Sequence, residues 1–341
     1  MAHFLNVISL LAWPLAACIC IGLLHAYAGL HVLRRGIIFV DLALAQMAAL
    51  GAVVGALVSA GAHDEVHHHE AAVQITAPAP SNDRNPEDEL DAALRAVQPD
   101  APTAQDPDPD EHTEHGGGFL GLWPTLFALG GAILLSFGRV HGERVPHEAI
   151  IGVVYVVAAA ATVLILSKSP HAHEQMEEML TGRLLFVDRA AVLSTAGLYA
   201  ALGGVHWLLR GPFLEISDGV AAGRRTDLSI RLWDCLFYAI FALMVTRSVA
   251  LGGVLVVFSF LIIPGACASM IATGWTSRIL IAWLVAIGVS VLGLALSALG
   301  DLPAGSTLVA TFGGGLLFAV CGSALLRRPS QRRAGEKGAL R

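Results

Sequence analysis

Long apolar runs separated by short polar loops dominate this chain. A helix needs about 20 apolar residues to cross the roughly 30 Å hydrocarbon core of a bilayer. Nine stretches of the sequence meet that requirement, namely residues 7–33, 37–61, 119–138, 149–167, 189–209, 232–250, 251–273, 279–299 and 306–326. Only the Gly252-Gly253 region separates the sixth from the seventh, so eight is the alternative count. With no period-two alternation, the pattern predicts an all-α, polytopic membrane helix bundle of about nine transmembrane helices.

Composition agrees with a membrane protein and reveals one segment of a different kind. The chain is 55% hydrophobic and only 14% charged, whereas a soluble domain has about 25% charged residues. Residues 62–118 hold 14 of the 27 acidic residues and two arginines, a net charge of −12, which leaves +6 for the remainder. The same segment holds seven of the 15 prolines. Such a stretch cannot bury enough apolar surface to become ordered, so we expect a disordered acidic loop.

Lysine and arginine predict the orientation. They follow spans one, three, five, seven and nine, and cytoplasmic loops of membrane proteins carry this positive excess. The N-terminus and the acidic insert are therefore expected outside the cytoplasmic membrane. The predicted organisation is transmembrane helices one and two (1–61), the acidic His-rich extracytoplasmic loop (62–118), transmembrane helices three to nine (119–326) and a basic cytoplasmic tail (327–341).

Histidine and acidic residues cluster on the predicted outer side. Imidazole and carboxylate groups together suit zinc and other divalent first-row metals. The candidate ligands at the two ends of the insert are His63, His67, His68, His69, Glu70, His112, Glu114 and His115. A flexible loop would capture metal weakly at several points; the alternative is a solvated linker with incidental histidines. After span four, His171 and His173 form a second candidate, with a solvated interfacial turn as the alternative.

Two polar residues lie near the cytoplasmic start of span two. Asp41 and Gln46 interrupt an apolar helix, and such residues usually face a pore or a partner because they are costly in lipid. Asp41 could instead complement the positive end of its helix. We interpret His25 and His31 in span one, and His206 in span five, as satisfied bundle histidines rather than ligands.

Four stretches resemble one family of transporters. They are residues 32–51, 178–185, 249–268, which is the most specific, and Leu302-Pro303-Ala304-Gly305-Ser306 near the end. Together they resemble the ABC-type zinc/manganese permeases. The resemblance implies a helical permease working as a homodimer, with cytoplasmic ABC ATPase subunits below it and an extracytoplasmic metal-binding protein above it.

The loop 210–231 is the longest inward loop before the tail. From the sequence alone it is either a short helix on the inner face or an ordinary basic loop. The resemblance implies that it is the ATPase-coupling element, with the candidate coupling residues Glu215, Asp218, Arg224 and Arg225. Its Asp218, Ala221 and Gly223 loosely match the longer Asp, Ala, Gly pattern of that family. The chain itself has no GxxxxGK[ST] loop, so an ATP-driven motor must be another chain.

One family motif is altered. The permeases begin span two with Gly-Asp-Ala-Leu-Ser-His, whereas this chain has Leu42 at the Asp place and Gln46 at the His place. Asp41 is displaced by one residue, about 100° around the helix. An amide oxygen therefore stands where the family has an imidazole, which weakens the case for zinc at this position. The histidine-rich insert, in contrast, favours zinc over manganese.

The sequence thus predicts the non-enzymatic permease subunit of an ATP-driven importer for zinc, with manganese next. The ion is cargo, no cofactor is tightly bound, and no nucleic-acid partner is expected. The alternatives are a gradient-driven secondary metal transporter, a membrane metallo-enzyme, and a metal sensor or scaffold that does not transport.

Overall fold

The protein folds as a bundle of helices. The computed structural model describes residues 2–74, 121–138, 146–168, 172–219 and 227–338, and contains no strand within those ranges. The helices are α1 Ala2–Arg35, α2 Val40–Gln74, α3 Leu122–Phe137, α4 His147–Leu166, α5 Ala172–Thr181, α6 Arg189–Leu208, α7 Arg210–Ser217, α8 Asp227–Ile271, α9 Trp275–Gly300 and α10 Ala304–Gly338, with a 3-10 turn, Leu184–Phe186, between α5 and α6. The predicted all-α fold class is confirmed.

Most of these helices can cross a membrane. In the described part of the chain, seven are long and apolar enough, and Leu122–Phe137 is a shorter apolar helix. One of the seven, Leu228–Ile271, has 44 residues, which at 1.5 Å per residue would extend about 66 Å if straight. That length is about twice the bilayer core. The backbone of α8 leaves the helical conformation at Gly253, with φ 73° and ψ 165°, and this glycine divides α8 into two arms, 227–252 and 254–271.

The first arm of α8 runs antiparallel to α1. Near its start, Asp234 accepts a hydrogen bond from Arg35 at the end of α1. Further along, Ser248 lies 3.0 Å from the ring of His25, more than two turns earlier in α1.

The second arm runs parallel to α1. Its early residue Phe260 lies against Gly22, and its later residue Gly265 lies against Leu33. The two arms therefore form an antiparallel hairpin. The sequence-based division between the sixth and seventh spans is confirmed, and the described residues contain all nine apolar segments.

Helix α1 lies at the centre of the bundle. Its most apolar window is 61% buried, compared with 22% for α4 at the periphery. It packs against α6, α8 and α9. At Gly29 the approach is so close that an added Cβ would overlap the carbonyl oxygen of Leu261. Small residues of this kind allow membrane helices to maximise their van der Waals contact.

The segment that joins α5 to the 3-10 turn docks on the α8 hairpin. Gly182, with φ 68°, lies against the backbone of Gly252 and Gly253, and Gly305 at the start of α10 lies against the carbonyl of Thr181. Only glycine permits these backbone-to-backbone contacts, because a Cβ at Gly182, Gly253 or Gly305 would overlap the opposing main chain. The junction links three elements at the hairpin's turn.

Helix α2 extends further than the sequence pattern predicts. It continues past residue 61 to Gln74, through a stretch rich in alanine and glutamate, which favour helix. Residues Ala56–Phe119 belong to one compact unit, and Met1–Gly55 and Leu120–Arg341 belong to another. Residues 75–120 lie outside the described ranges, so the disordered loop stays a prediction there.

Candidate functional site

The predicted pore residues Asp41 and Gln46 lie in the first two turns of α2. Their exposed fractions are 1% and 8%, so both face the bundle interior. Within the described part of the chain, the Oδ1 atom of Asp41 has no hydrogen-bond partner. An unpaired oxygen is costly for a buried acid, and buried acids within membrane spans are typically functional.

Asp41 and Gln46 do not form one joint site. The two residues are five positions apart, which places them about 140° apart around α2. Among the described residues, no group of three or more histidine, cysteine, aspartate or glutamate side chains could hold a metal ion. The two side chains are therefore separate polar positions, and their pore role stays a prediction.

In the turn before α2, a backbone N–H group donates a hydrogen bond to an acidic side chain of another helix. Gly36 adopts φ 65°, and Glu148 at the start of α4 accepts a hydrogen bond from the backbone N–H of Ile38 at 3.2 Å. An acidic side chain from another helix thus complements the N-terminal end of α2, where orphan N–H groups concentrate.

His31 and His206, the buried histidine pair, meet between α1 and α6. Their ring centroids are 5.1 Å apart, and the residues are 0% and 5% exposed. The Nδ1 atom of His31 lies 2.9 Å from the hydroxyl of Ser217, and that of His206 lies 3.0 Å from the hydroxyl of Tyr27. Both Nε2 atoms are buried, and no residue that the structure describes forms a hydrogen bond with either of them.

His25 shows what a satisfied bundle histidine looks like. Its Nδ1 donates to the carbonyl of Ile21 at 2.9 Å, and its Nε2 lies 3.0 Å from the hydroxyl of Ser248. The interpretation from sequence therefore holds for His25 but is incomplete for the buried histidine pair. Tyr27 and His31, four residues apart on one face of α1, were the available signal in the sequence.

The C-terminal end of α1 contacts α7 through an arrangement that we call the α1–α7 clasp, formed by Arg34, Arg35, Ser217 and Asp218. Arg34 forms an ion pair with Asp218. Arg35 donates from Nε to Ser217 at 3.0 Å, and from Nη1 to Asp234 of α8 at 2.8 Å. The predicted coupling residue Asp218 thus contacts the central helix directly.

The other predicted coupling residues have different positions. Loop 210–231 begins as the short helix α7, which contains Glu215. Arg224 and Arg225 lie outside the described residues.

The side chains of the predicted outer metal ligands lie outside the described residues. The backbone of one group continues α2, but its side chains are outside the described set: His63, His67, His68, His69 and Glu70. A second group lies outside the described ranges altogether: His112, Glu114, His115 and His171. His173 belongs to α5 by its backbone alone. Metal capture by these residues stays a prediction.

Known proteins resemble this chain in sequence and in fold. The model of the ABC 3 transport family matches residues 124–322. A probable metal transport system membrane protein of Chlamydia pneumoniae is 23% identical over 205 residues, covering 59% of this chain and 70% of that protein. A probable metal transport system membrane protein of Chlamydia trachomatis is 25% identical over 216 residues, covering 60% and 74%.

A solved structure is similar over nearly its whole length. PsaBC from Streptococcus pneumoniae, in complex with a Fab, superposes with a TM-score of 0.63 and covers 93% of this chain and 94% of the chain compared. The sequence identity is 16%, so this likeness concerns the fold alone.

Proposed function

Because the chain belongs to the ABC 3 transport family, we propose that it is the permease subunit of an ATP-driven importer that moves a divalent transition metal across the cytoplasmic membrane. The family match over residues 124–322 carries the proposal. The descriptions of both curated relatives as metal transport membrane proteins support the cargo class. Zinc is favoured and manganese next, because the imidazole-rich insert suits zinc better than manganese.

Two side chains of α2 that are buried in the bundle supply polar contacts along the proposed path. A divalent ion that leaves water needs oxygen or nitrogen atoms around it, and a pore must hold the ion weakly enough to release it. Asp41 offers an unpartnered, buried carboxylate oxygen, and Gln46 offers an amide on a different side of the helix. In this proposal each makes a separate, weak contact with the passing ion.

Energy is proposed to enter through the α1–α7 clasp. Two cytoplasmic ABC ATPase subunits would dock beneath α7 in a homodimer of this permease. A movement of α7 would then pull on α1 through the ion pair between Arg34 and Asp218. An extracytoplasmic metal-binding protein would deliver the ion, and the negative histidine-rich insert would raise its local concentration.

Metal uptake by cells tests this proposal. Cells lacking the chain are expected to accumulate less zinc or manganese from dilute medium, measured with radioactive tracers, and the restored gene should recover uptake. Asp41→Asn should lower the maximal rate about tenfold or more, since a hydrogen bond or similar polar contact to a charged group is worth about 1.5–3 kcal/mol. The control, Asp301→Asn, changes an exposed acid at the end of α9 and should transport normally.

Two results would contradict the proposal. Normal accumulation of both metals in cells lacking the chain would exclude a role in import. Uptake that persists after removal of the ATPase, but collapses with the proton or sodium gradient, would instead indicate a secondary transporter.

A further inference from the structure

The hydrogen-bond pattern around Ser217 determines which nitrogen of His31 carries hydrogen. The Ser217 hydroxyl donates its hydrogen to the carbonyl of Phe213 at 2.7 Å. A hydroxyl has one hydrogen and two acceptor lone pairs, so Ser217 accepts from His31 Nδ1 at 2.9 Å and from Arg35 Nε at 3.0 Å. In neutral His31 the Nε2 lone pair is therefore bare, and no described hydrogen-bond donor reaches it.

His206 also has one ring nitrogen in contact and one bare. Its Nδ1 lies 3.0 Å from the Tyr27 hydroxyl, and its Nε2 is buried with no hydrogen-bond partner among the described residues. When Nδ1 donates to the Tyr27 oxygen, the Nε2 lone pair is available. Histidines that ligate metals commonly have one ring nitrogen held by an outer partner, which fixes the tautomer and ring orientation and leaves the other nitrogen for the ion. His31 has that arrangement, and His206 has it in the tautomer that donates from Nδ1 to Tyr27.

The distance between the two ring centroids is compatible with a shared ion. A zinc–imidazole bond is about 2.0–2.1 Å long, which places the ring centroid about 3.2 Å from the metal. At a tetrahedral angle, two such centroids would be about 5.2 Å apart. The centroids of His31 and His206 are 5.1 Å apart.

We propose that His31 and His206 together bind one divalent transition-metal ion of the class that accepts imidazole nitrogen, such as Zn²⁺ or Co²⁺. Two protein ligands hold the ion less firmly than the four of a structural zinc site. Its place on an exit path rests on the proposed function, whereas its capacity to bind metal does not.

Nearby positive charge does not oppose the site as strongly as the sequence implies. Arg34 and Arg35 lie within about one turn of His31, but each is paired with a carboxylate, Asp218 and Asp234 respectively. The two arginines and their partners thus add no net charge beside the ion.

Ser217 also connects this site to α7. The hydroxyl that orients His31 is at the end of the helix that also carries the α1–α7 clasp. A displacement of α7 would therefore release or rotate the His31 ring, and would weaken the hold on the ion at the cytoplasmic end of the pathway.

Direct Co²⁺ binding to the purified full chain tests the site. The background replaces the outer histidines with asparagine, at His63, His67, His68, His69, His112, His115, His171 and His173. In detergent, Co²⁺ alone is titrated and followed by equilibrium dialysis and visible absorption. We expect His31→Gln and His206→Gln each to weaken binding about tenfold or more, and the visible spectrum of imidazole-bound Co²⁺ to disappear.

His25→Gln is the matched control, because His25 is equally buried in α1 but both of its ring nitrogens are bonded. It should leave Co²⁺ binding unchanged, and thermal unfolding confirms that all three variants are folded. Unchanged binding in both pair variants, or equal weakening by His25→Gln, would overturn the proposed site.

The uptake assay separates the two proposals. If Co²⁺ binding depends on the buried histidine pair but the chain imports no metal, only the proposed transport function is refuted. Normal import with Co²⁺ binding indifferent to the pair refutes only the site.

Discussion

Arg34 and Arg35 are neighbours in sequence, yet their ion pairs differ in burial. The side chains of Arg35 and Asp234 are 4% and 2% exposed, whereas those of Arg34 and Asp218 are 28% and 30% exposed. Breaking a buried pair leaves an uncompensated charge and costs about 3–5 kcal/mol. An exposed pair contributes about 0–1 kcal/mol. Removing one partner of the inner pair should therefore destabilise the fold strongly, whereas the outer pair can separate at little cost.

Matched alanine substitutions distinguish these two roles. Asp234→Ala should lower the thermal unfolding midpoint and the yield of purified protein strongly, because it removes the carboxylate that balances the charge of the buried Arg35 guanidinium. Asp218→Ala should change stability by about 1 kcal/mol or less, yet reduce metal uptake per ATP hydrolysed. Thermal unfolding in one detergent, and coupled uptake in vesicles with the ATPase, measure the two effects. Equal destabilisation by both substitutions would show that the difference in burial does not determine how much each ion pair matters for stability.

At the scale of elements, the α8 hairpin depends on one backbone conformation. The dihedral angles of Gly253, φ 73° and ψ 165°, belong to a region that is open essentially only to glycine. A Cβ there would also lie 2.5 Å from the backbone nitrogen of Gly182 and from the carbonyl oxygen of Leu180. Gly252, directly before it, has only ordinary contacts with the side chains of Val256 and Leu184.

Alanine at each glycine tests this difference. Gly253→Ala should destabilise the protein by about 1–3 kcal/mol from backbone strain, with a further loss where the α5 segment must move away. Gly252→Ala should be close to neutral, because its new methyl group finds space. The unfolding midpoints in detergent, measured side by side, provide the comparison. A Gly253→Ala protein as stable as Gly252→Ala would mean that the α8 hairpin can form with a different backbone conformation at residue 253.

At the scale of the whole molecule, charge is divided between two regions. The bundle and tail carry +6, while residues 62–118 carry −12 together with six of the 14 histidines. In the predicted orientation that negative segment is outside, where it would attract dilute cations before they reach the bundle. Capture of this kind changes the metal concentration at the mouth and leaves the path through the bundle unchanged.

Replacing the six histidines of the insert with asparagine tests this division. The substituted positions are His63, His67, His68, His69, His112 and His115. We expect the apparent KM for zinc to rise and the maximal rate to stay the same, because saturating metal no longer needs concentrating. Initial uptake rates over a range of zinc concentrations give both quantities. A loss of transport at saturating zinc would place these histidines on the obligatory path.

Much of the architecture followed from local pattern. Helix type, the positions of nine apolar segments and the break at Gly252-Gly253 were predicted, because transfer into lipid depends on the composition of each 20-residue stretch by itself. The end of α2 was not, since alanine and glutamate favour helix beyond the apolar run. The burial of Asp41 and Gln46 agrees with the cost of polar groups in lipid.

The sequence by itself determined that this chain is a polytopic helical membrane protein with one acidic, histidine-rich insert, and it pointed to the transporter family. Only the tertiary structure decided which polar groups meet: His31 with His206, Arg34 with Asp218, and Gly182 with the α8 hairpin. The reason is that lipid is as apolar as leucine, so hydrophobicity sets which stretches of the chain cross the bilayer but hardly constrains the rotation and neighbours of each helix. Those depend on close packing of small residues and on hydrogen bonds between distant spans.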